Sequence, residues 1–122
     1  SDPVQDPAFA WDSDAWELTR TLILKLNAES RSAGARLAVT GIPSLAQMSS
    51  GKPLPYGALD DFLARQGIKA IEVLPSMERL SRQQLEALYI RDRIHLNAEG
   101  HRLFAEEAGS QLALWLQATK QR

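Results

Sequence analysis

Leucines fall at Leu18, Leu22 and Leu26, and Ala33 continues the row. That spacing stacks side chains on one face of an α-helix, and Ile23 widens the apolar face. Asp14 stands where it can cap such a helix, Glu17 follows at the capping-box spacing, and Gly34 supplies a stop. Ahead of it, residues 1–11 carry Pro3 and Pro7 among polar residues and read as an extended lead-in, pinned by Phe9 and Trp11.

The period then changes. Arg36 to Ile42 (RLAVTGI) is short, apolar and partly β-branched, and Pro43 ends it, the signature of a buried strand. Residues 43–56 contain Pro43, Gly51, Pro53 and Pro55 and read as a long surface loop. From Gly57 to Gln66 the pattern is helical again, with Leu59, Phe62 and Leu63 inward and Gly67 as the stop. Ile68 to Leu74 (IKAIEVL) is a second strand that Pro75 closes. Ser81 and Gln84 repeat the capping-box spacing and predict a short helix over Arg82 to Tyr89. Asn97 is placed to cap a last helix whose Ala105, Ala108, Leu112, Trp115 and Leu116 share a face.

Strands alternating with helices imply an α/β fold with a parallel sheet and right-handed crossovers. Parallel sheets are normally buried on both faces and rarely as small as two strands. Residues 1–122 are therefore expected to form a single but partial domain, the C-terminal part of a larger sheet. The missing strands would come from a preceding segment, or the open sheet edge would drive self-association. A first residue of Ser1 rather than Met fits a processed or partial chain.

Composition narrows the function. Hydrophobic residues make up 44% and charged residues 24%, and the formal net charge is −1. There is no basic stripe with interleaved aromatics, so a nucleic-acid partner is not expected. No apolar run approaches the ~18 residues that a membrane span needs. Without cysteine, disulfides, thiolate chemistry and Cys-ligated zinc are excluded. None of this fixes the compartment.

The chemistry concentrates in Asp92-Arg93-Ile94-His95-Leu96-Asn97-Ala98-Glu99-Gly100-His101. A neutral His95 can take a proton from a hydroxyl if an acid holds its other ring nitrogen, and Asp92 is close enough in sequence to be that acid. The pair also follows the last strand, where open α/β sheets place their sites. The alternative is structural: Asp92 caps a turn and His95 bonds to backbone. Gly100, early in the last helix, would let another element pack closely.

A nucleophile is harder to find. Ser44, Ser49 and Ser50 lack the strand–turn–helix setting that presents a catalytic serine, and satisfy turns instead. His95 and His101 are six apart, with His101 on the helix beyond the loop, so their side chains diverge and with Glu99 no metal site is expected; no cofactor is expected either. Trp11, Trp16 and Trp115 read as packing anchors. Arg91 and Arg93 flank Asp92 and either meet an anionic substrate group or stay solvated.

The segment D-R-I-H-L-N-A-E-G-H-R-L-F-A resembles the last conserved block of the SGNH, or GDSL-type, hydrolases. Residues 16–75 resemble what precedes that block in the family. The resemblance implies a flavodoxin-like three-layer α/β/α fold. It also implies ester hydrolysis, with His95 as general base, Asp92 as its orienting acid, and Asn97 and Gly100 as supports. The substrate class implied is a small ester or an O-acetylated carbohydrate, and the location implied is bacterial periplasm or secretion. The family's Gly-Asp-Ser nucleophile motif, its central glycine block and its Gly-x-Asn-Asp block are absent from this chain; in the family they lie N-terminal to the matching region. The chain alone is thus expected to be inactive. The alternative is a non-catalytic SGNH-like module kept for binding or association.

Overall fold

The structure is a computed structural model that describes residues 10–49 and 56–120. The first helix, α1, covers Asp14–Ser32. Its cap is Ser13 rather than Asp14: the Trp16 amide donates to Ser13 Oγ at 3.3 Å, while Asp14 and Glu17 lie in the first turn. There their charges suit the positive end of the helix dipole. Gly34 ends α1 at φ +76, with the Ala35 amide donating to the Ser30 carbonyl at 2.8 Å in a Schellman closure.

β1 (Ala38–Thr40) and β2 (Lys69–Ile71) form a parallel pair in the register Ala38–Lys69, Val39–Ala70, Thr40–Ile71. Both strands are shorter than their apolar runs. Among the described residues the sheet has two strands, so each is paired there on one side.

The connections hold more helix than the sequence pattern announces. The Pro-rich stretch contains α2 (Leu45–Ser49), and its residues 50–55, with Ser50, Gly51, Pro53 and Pro55, lie outside the described residues. α2 forms because Ser44 and Gln47 cap each other's amides, the Ser44 amide donating to Gln47 Oε1 at 2.8 Å and the Gln47 amide to Ser44 Oγ at 3.2 Å. α3 (Tyr56–Arg65) ends at Gly67, φ +70. Pro75 does not close a strand; it opens α4 (Leu74–Glu78), where its missing amide costs nothing. α5 (Arg82–Glu86) has the expected Ser81–Gln84 capping box but stops short of Tyr89. α6 (Ala98–Lys120) closes the chain.

Helices cover both faces of the strand pair. On one side Leu59 and Leu63 of α3 and Trp16 and Ile23 of α1 pack with Leu37, Val39, Ile68 and Ala70. On the other, Leu103, Phe104, Ala108 and Leu112 of α6 meet Ala38, Ile71 and Val73, with Leu45, Met77, Leu85, Leu88, Tyr89 and Leu96 completing the larger core. Of the lead-in, residues 1–9 lie outside the described residues; Trp11 does pin its end, 5.3 Å from the Trp16 ring and 6.0 Å from Phe62.

One expected core face is turned and a second is covered in part. Trp16 and Ile23 face inward, so Leu18, Leu22 and Leu26 point to solvent with 60%, 57% and 51% of their surface exposed. At about 100° of rotation per residue the leucine row lies roughly a third of a turn from the buried row. On α6, Ala105 and Leu116 are likewise exposed while Ala108, Leu112 and Trp115 are partly covered. Among the described residues no helix is long and apolar enough to cross a membrane.

Candidate active site

The Asp92 loop is built by a pinch at its base. Tyr89 and Leu96 form an antiparallel bridge. The Ile90 amide donates to the His95 carbonyl at 3.0 Å, and the Asn97 amide to the Leu88 carbonyl at 2.8 Å. Asn97 then joins loop and helix. Its Oδ1 accepts from the Gly100 amide at 2.9 Å, and its Nδ2 donates to the Ala87 carbonyl at 2.7 Å. Gly100 is fully buried in this corner: a Cβ there would stand 2.3 Å from the Leu88 carbonyl oxygen. The expected close approach at Gly100 is therefore to backbone.

Asp92 is fully employed. Its Oδ1 accepts the amides of Ile94 at 2.9 Å and His95 at 3.0 Å, and its Oδ2 meets His95 Nδ1 at 2.5 Å. The hydrogen bond from the His95 side chain, then those from the two amides, hold the Asp92 carboxyl down at about 2. The acid is thus ionised at neutral pH and can only accept. Nδ1 must carry the proton, which leaves the lone pair of a neutral imidazole on Nε2. That is the tautomer a general base needs. The imidazole is open, with 73% of its side-chain surface exposed.

The loop is docked through Arg93. This residue is at φ +58, alone among described non-glycine residues in the left-handed region. Its amide donates to the Ile90 carbonyl at 3.0 Å, and its carbonyl accepts from the Leu45 amide at 3.0 Å. That kink turns the two following amides onto Asp92 Oδ1.

The serines do not complete a triad. Ser44 lies next to Leu45, beside the loop, yet its Oγ caps α2 and makes no hydrogen bond to His95. The side chains of Ser49 and Ser50 lie outside the described residues. His101 is exposed on α6, and Glu99 is bonded to Arg102. Among the described residues no group of three or more His, Cys, Asp or Glu is placed to hold a metal ion. Trp115 is covered by Arg36, whose guanidinium sits 4.5 Å from the ring centroid.

A feature with no sequence signal lies at the C-terminal ends of both strands. A cavity of about 140 Å³ is lined by Gly41, Tyr56, Asp60, Glu72 and Leu74 among others. Burial, then the hydrogen bond and charge of Glu72, push Asp60 up to about 6. An unfolded chain releases that proton near ~4. Folding therefore takes up a proton between those values, and the Asp60 contribution to stability falls as pH rises towards 6. Asp60→Asn is expected to raise Tm by a few degrees at pH 7.5 and to leave it unchanged or lower at pH 4, which calorimetry at the two pH values would check.

Compared with protein-family models, curated proteins and solved structures, the chain matches none.

Proposed function

We propose that this chain carries the acid–base half of an SGNH-type serine ester hydrolase, its nucleophile and oxyanion donors being supplied by residues outside 1–122. The observation that carries the reading is the Asp92–His95 pair, with Nδ1 held by an ionised acid at 2.5 Å and the imidazole as a whole exposed. The reaction would be acyl transfer. A serine hydroxyl attacks the ester carbonyl while Nε2 takes its proton; the imidazolium, stabilised by Asp92, then protonates the leaving alcohol. Water repeats the sequence on the acyl-enzyme. An O-acetylated carbohydrate or another small ester is the substrate class, on the resemblance of residues 92–105 alone.

The finer fold belongs to the same proposal: a flavodoxin-like three-layer sandwich of which these residues form one end. Two features support it. Among the described residues β1 has a strand on one side only, and the Leu18, Leu22, Leu26 row of α1 is exposed. A further strand–helix unit along β1 would cover both and bring its strand end towards the loop. The same uncovered row supports a second reading, a non-catalytic module that completes itself by association. The readings part on turnover.

The test uses the polypeptide translated from the whole reading frame around Ser1. On the hydrolase reading the frame encodes a Gly-Asp-Ser segment and its product hydrolyses p-nitrophenyl acetate, whereas residues 1–122 alone do not. Asp92→Asn keeps an oxygen for the two loop amides but turns an N–H donor towards Nδ1, forcing the proton onto Nε2. The expected loss in kcat is on the order of 10³- to 10⁴-fold with the fold intact. A frame with no serine motif, or an Asp92→Asn variant with an unchanged rate, contradicts the hydrolase reading.

A further inference from the structure

Arg93 raises a question that the acid–base pair does not answer. A side chain in the left-handed region is disfavoured, and glycine or asparagine would hold the same kink more easily. The backbone there is fixed on both sides, by Ile90 and by Leu45, so the arginine side chain springs from a rigid point between Asp92 and His95. Among the described residues its guanidinium makes no ion pair or hydrogen bond.

Its side chain is exposed, but it does not stand alone. Arg93 and Arg82 together line a cavity of about 140 Å³ whose other walls are Leu45 and Ala46. Arg82 is ion-paired along α5, its Nε donating to Glu86 Oε1 at 3.0 Å. This leaves its terminal nitrogens without a partner among the described residues. Among the described residues no acidic side chain lines the cavity. Two guanidinium groups with free N–H donors, set over an apolar floor, match an oxyanion attached to a short hydrocarbon.

We propose that the Arg82–Arg93 cavity binds an anionic group, a carboxylate or phosphate carried on a short aliphatic segment, and thereby selects charged esters for the neighbouring His95. This deepens the hydrolase reading and rests on it for the consequence of binding. The binding itself is measurable without turnover. Arg93 stands two residues before His95 in the same loop, so an anion held there would bring the rest of its molecule towards the imidazole.

Titrating sodium butyrate into the ¹⁵N-labelled 122-residue chain tests it, with the Ala46 amide and the Arg82 and Arg93 side-chain N–H signals as reporters. Saturable shifts are expected, weakened at least about tenfold by Arg93→Gln and by Arg82→Gln, the loss of one charge-assisted hydrogen bond. The neutral isostere 1-butanol should give no saturable shift. Inorganic phosphate should compete with butyrate; competition stronger than butyrate's own binding would identify a phosphate ester as the ligand. Equal binding of butanol and butyrate, or unweakened binding by both variants, would overturn the proposal, as would the absence of saturation. Butyrate binding without ester turnover by the full-frame polypeptide would leave the anion cavity standing and remove the hydrolase reading; turnover without butyrate binding would do the reverse.

Discussion

His95→Ala in the full-frame polypeptide is expected to lower kcat for p-nitrophenyl acetate by about three to six orders of magnitude while leaving the fold unchanged. The size follows from the division of labour in a triad. Without a base the serine remains a neutral hydroxyl, and losing the base alone costs about as much as losing the whole triad. The selectivity follows from exposure. With 73% of its side-chain surface in solvent, His95 contributes little packing, and exposed substitutions usually change stability by less than ~0.5 kcal/mol. Asp92 loses one hydrogen bond but keeps the amides of Ile94 and His95, so the loop keeps its turn. The measurement pairs initial rates with a thermal melt. A comparable fall in Tm would mark His95 as structural.

Gly100→Ala is expected to have the largest effect on stability. Alanine normally improves a helix by roughly 1 kcal/mol over glycine. At Gly100 the new methyl would stand 2.3 Å from the Leu88 carbonyl oxygen and 3.0 Å from two atoms of Leu96. A comfortable carbon–oxygen contact is about 3.3 Å or more, so α6 would have to move by about 1 Å from backbone that cannot rotate away. Overpacking costs about 1–3 kcal/mol where side chains can yield, and here the obstacle is main chain. The same carbonyl accepts from Asn97, which caps α6 and ties it to the loop. A net loss of about 2 kcal/mol or more is expected, lowering Tm by roughly 10 °C. Gly109→Ala, on the same helix with nothing within 4 Å of the added carbon, serves as the control. It is expected to raise stability by about 0.5–1 kcal/mol. Equal melting temperatures for the two variants would remove the argument that Gly100 fixes α6 against the loop.

Much of this architecture was legible in the sequence because it is local. The Ser81–Gln84 capping box, the Asn97 cap, the Gly34 and Gly67 stops and the Asp92–His95 contact join groups a few residues apart. Local signals also mislead when several share one stretch. The prolines around residues 43–56 point to loop, while the Ser44–Gln47 box within them starts α2. Pro75 was read as a stop although it suits a helix start equally well. Asp14 and Ser13 both suit a helix cap, and the fold uses Ser13. What is not local was not legible. Which apolar row of α1 faces inward depends on α3 and the strands, and Trp16 and Ile23 win over Leu18, Leu22 and Leu26. The pairing of Arg82 with Arg93 across a cavity, and of Asp60 with Glu72, joins residues eleven or twelve apart through the fold.

The most direct test of the acid–base pair is the site of covalent labelling by a fluorophosphonate, which reports an activated serine whatever the natural substrate. In the full-frame polypeptide the expected label lies on the serine of a Gly-Asp-Ser segment preceding Ser1. Its rate should fall by at least about 10³-fold in His95→Ala. Labelling at an equal rate in His95→Ala, or on Ser44, would contradict it.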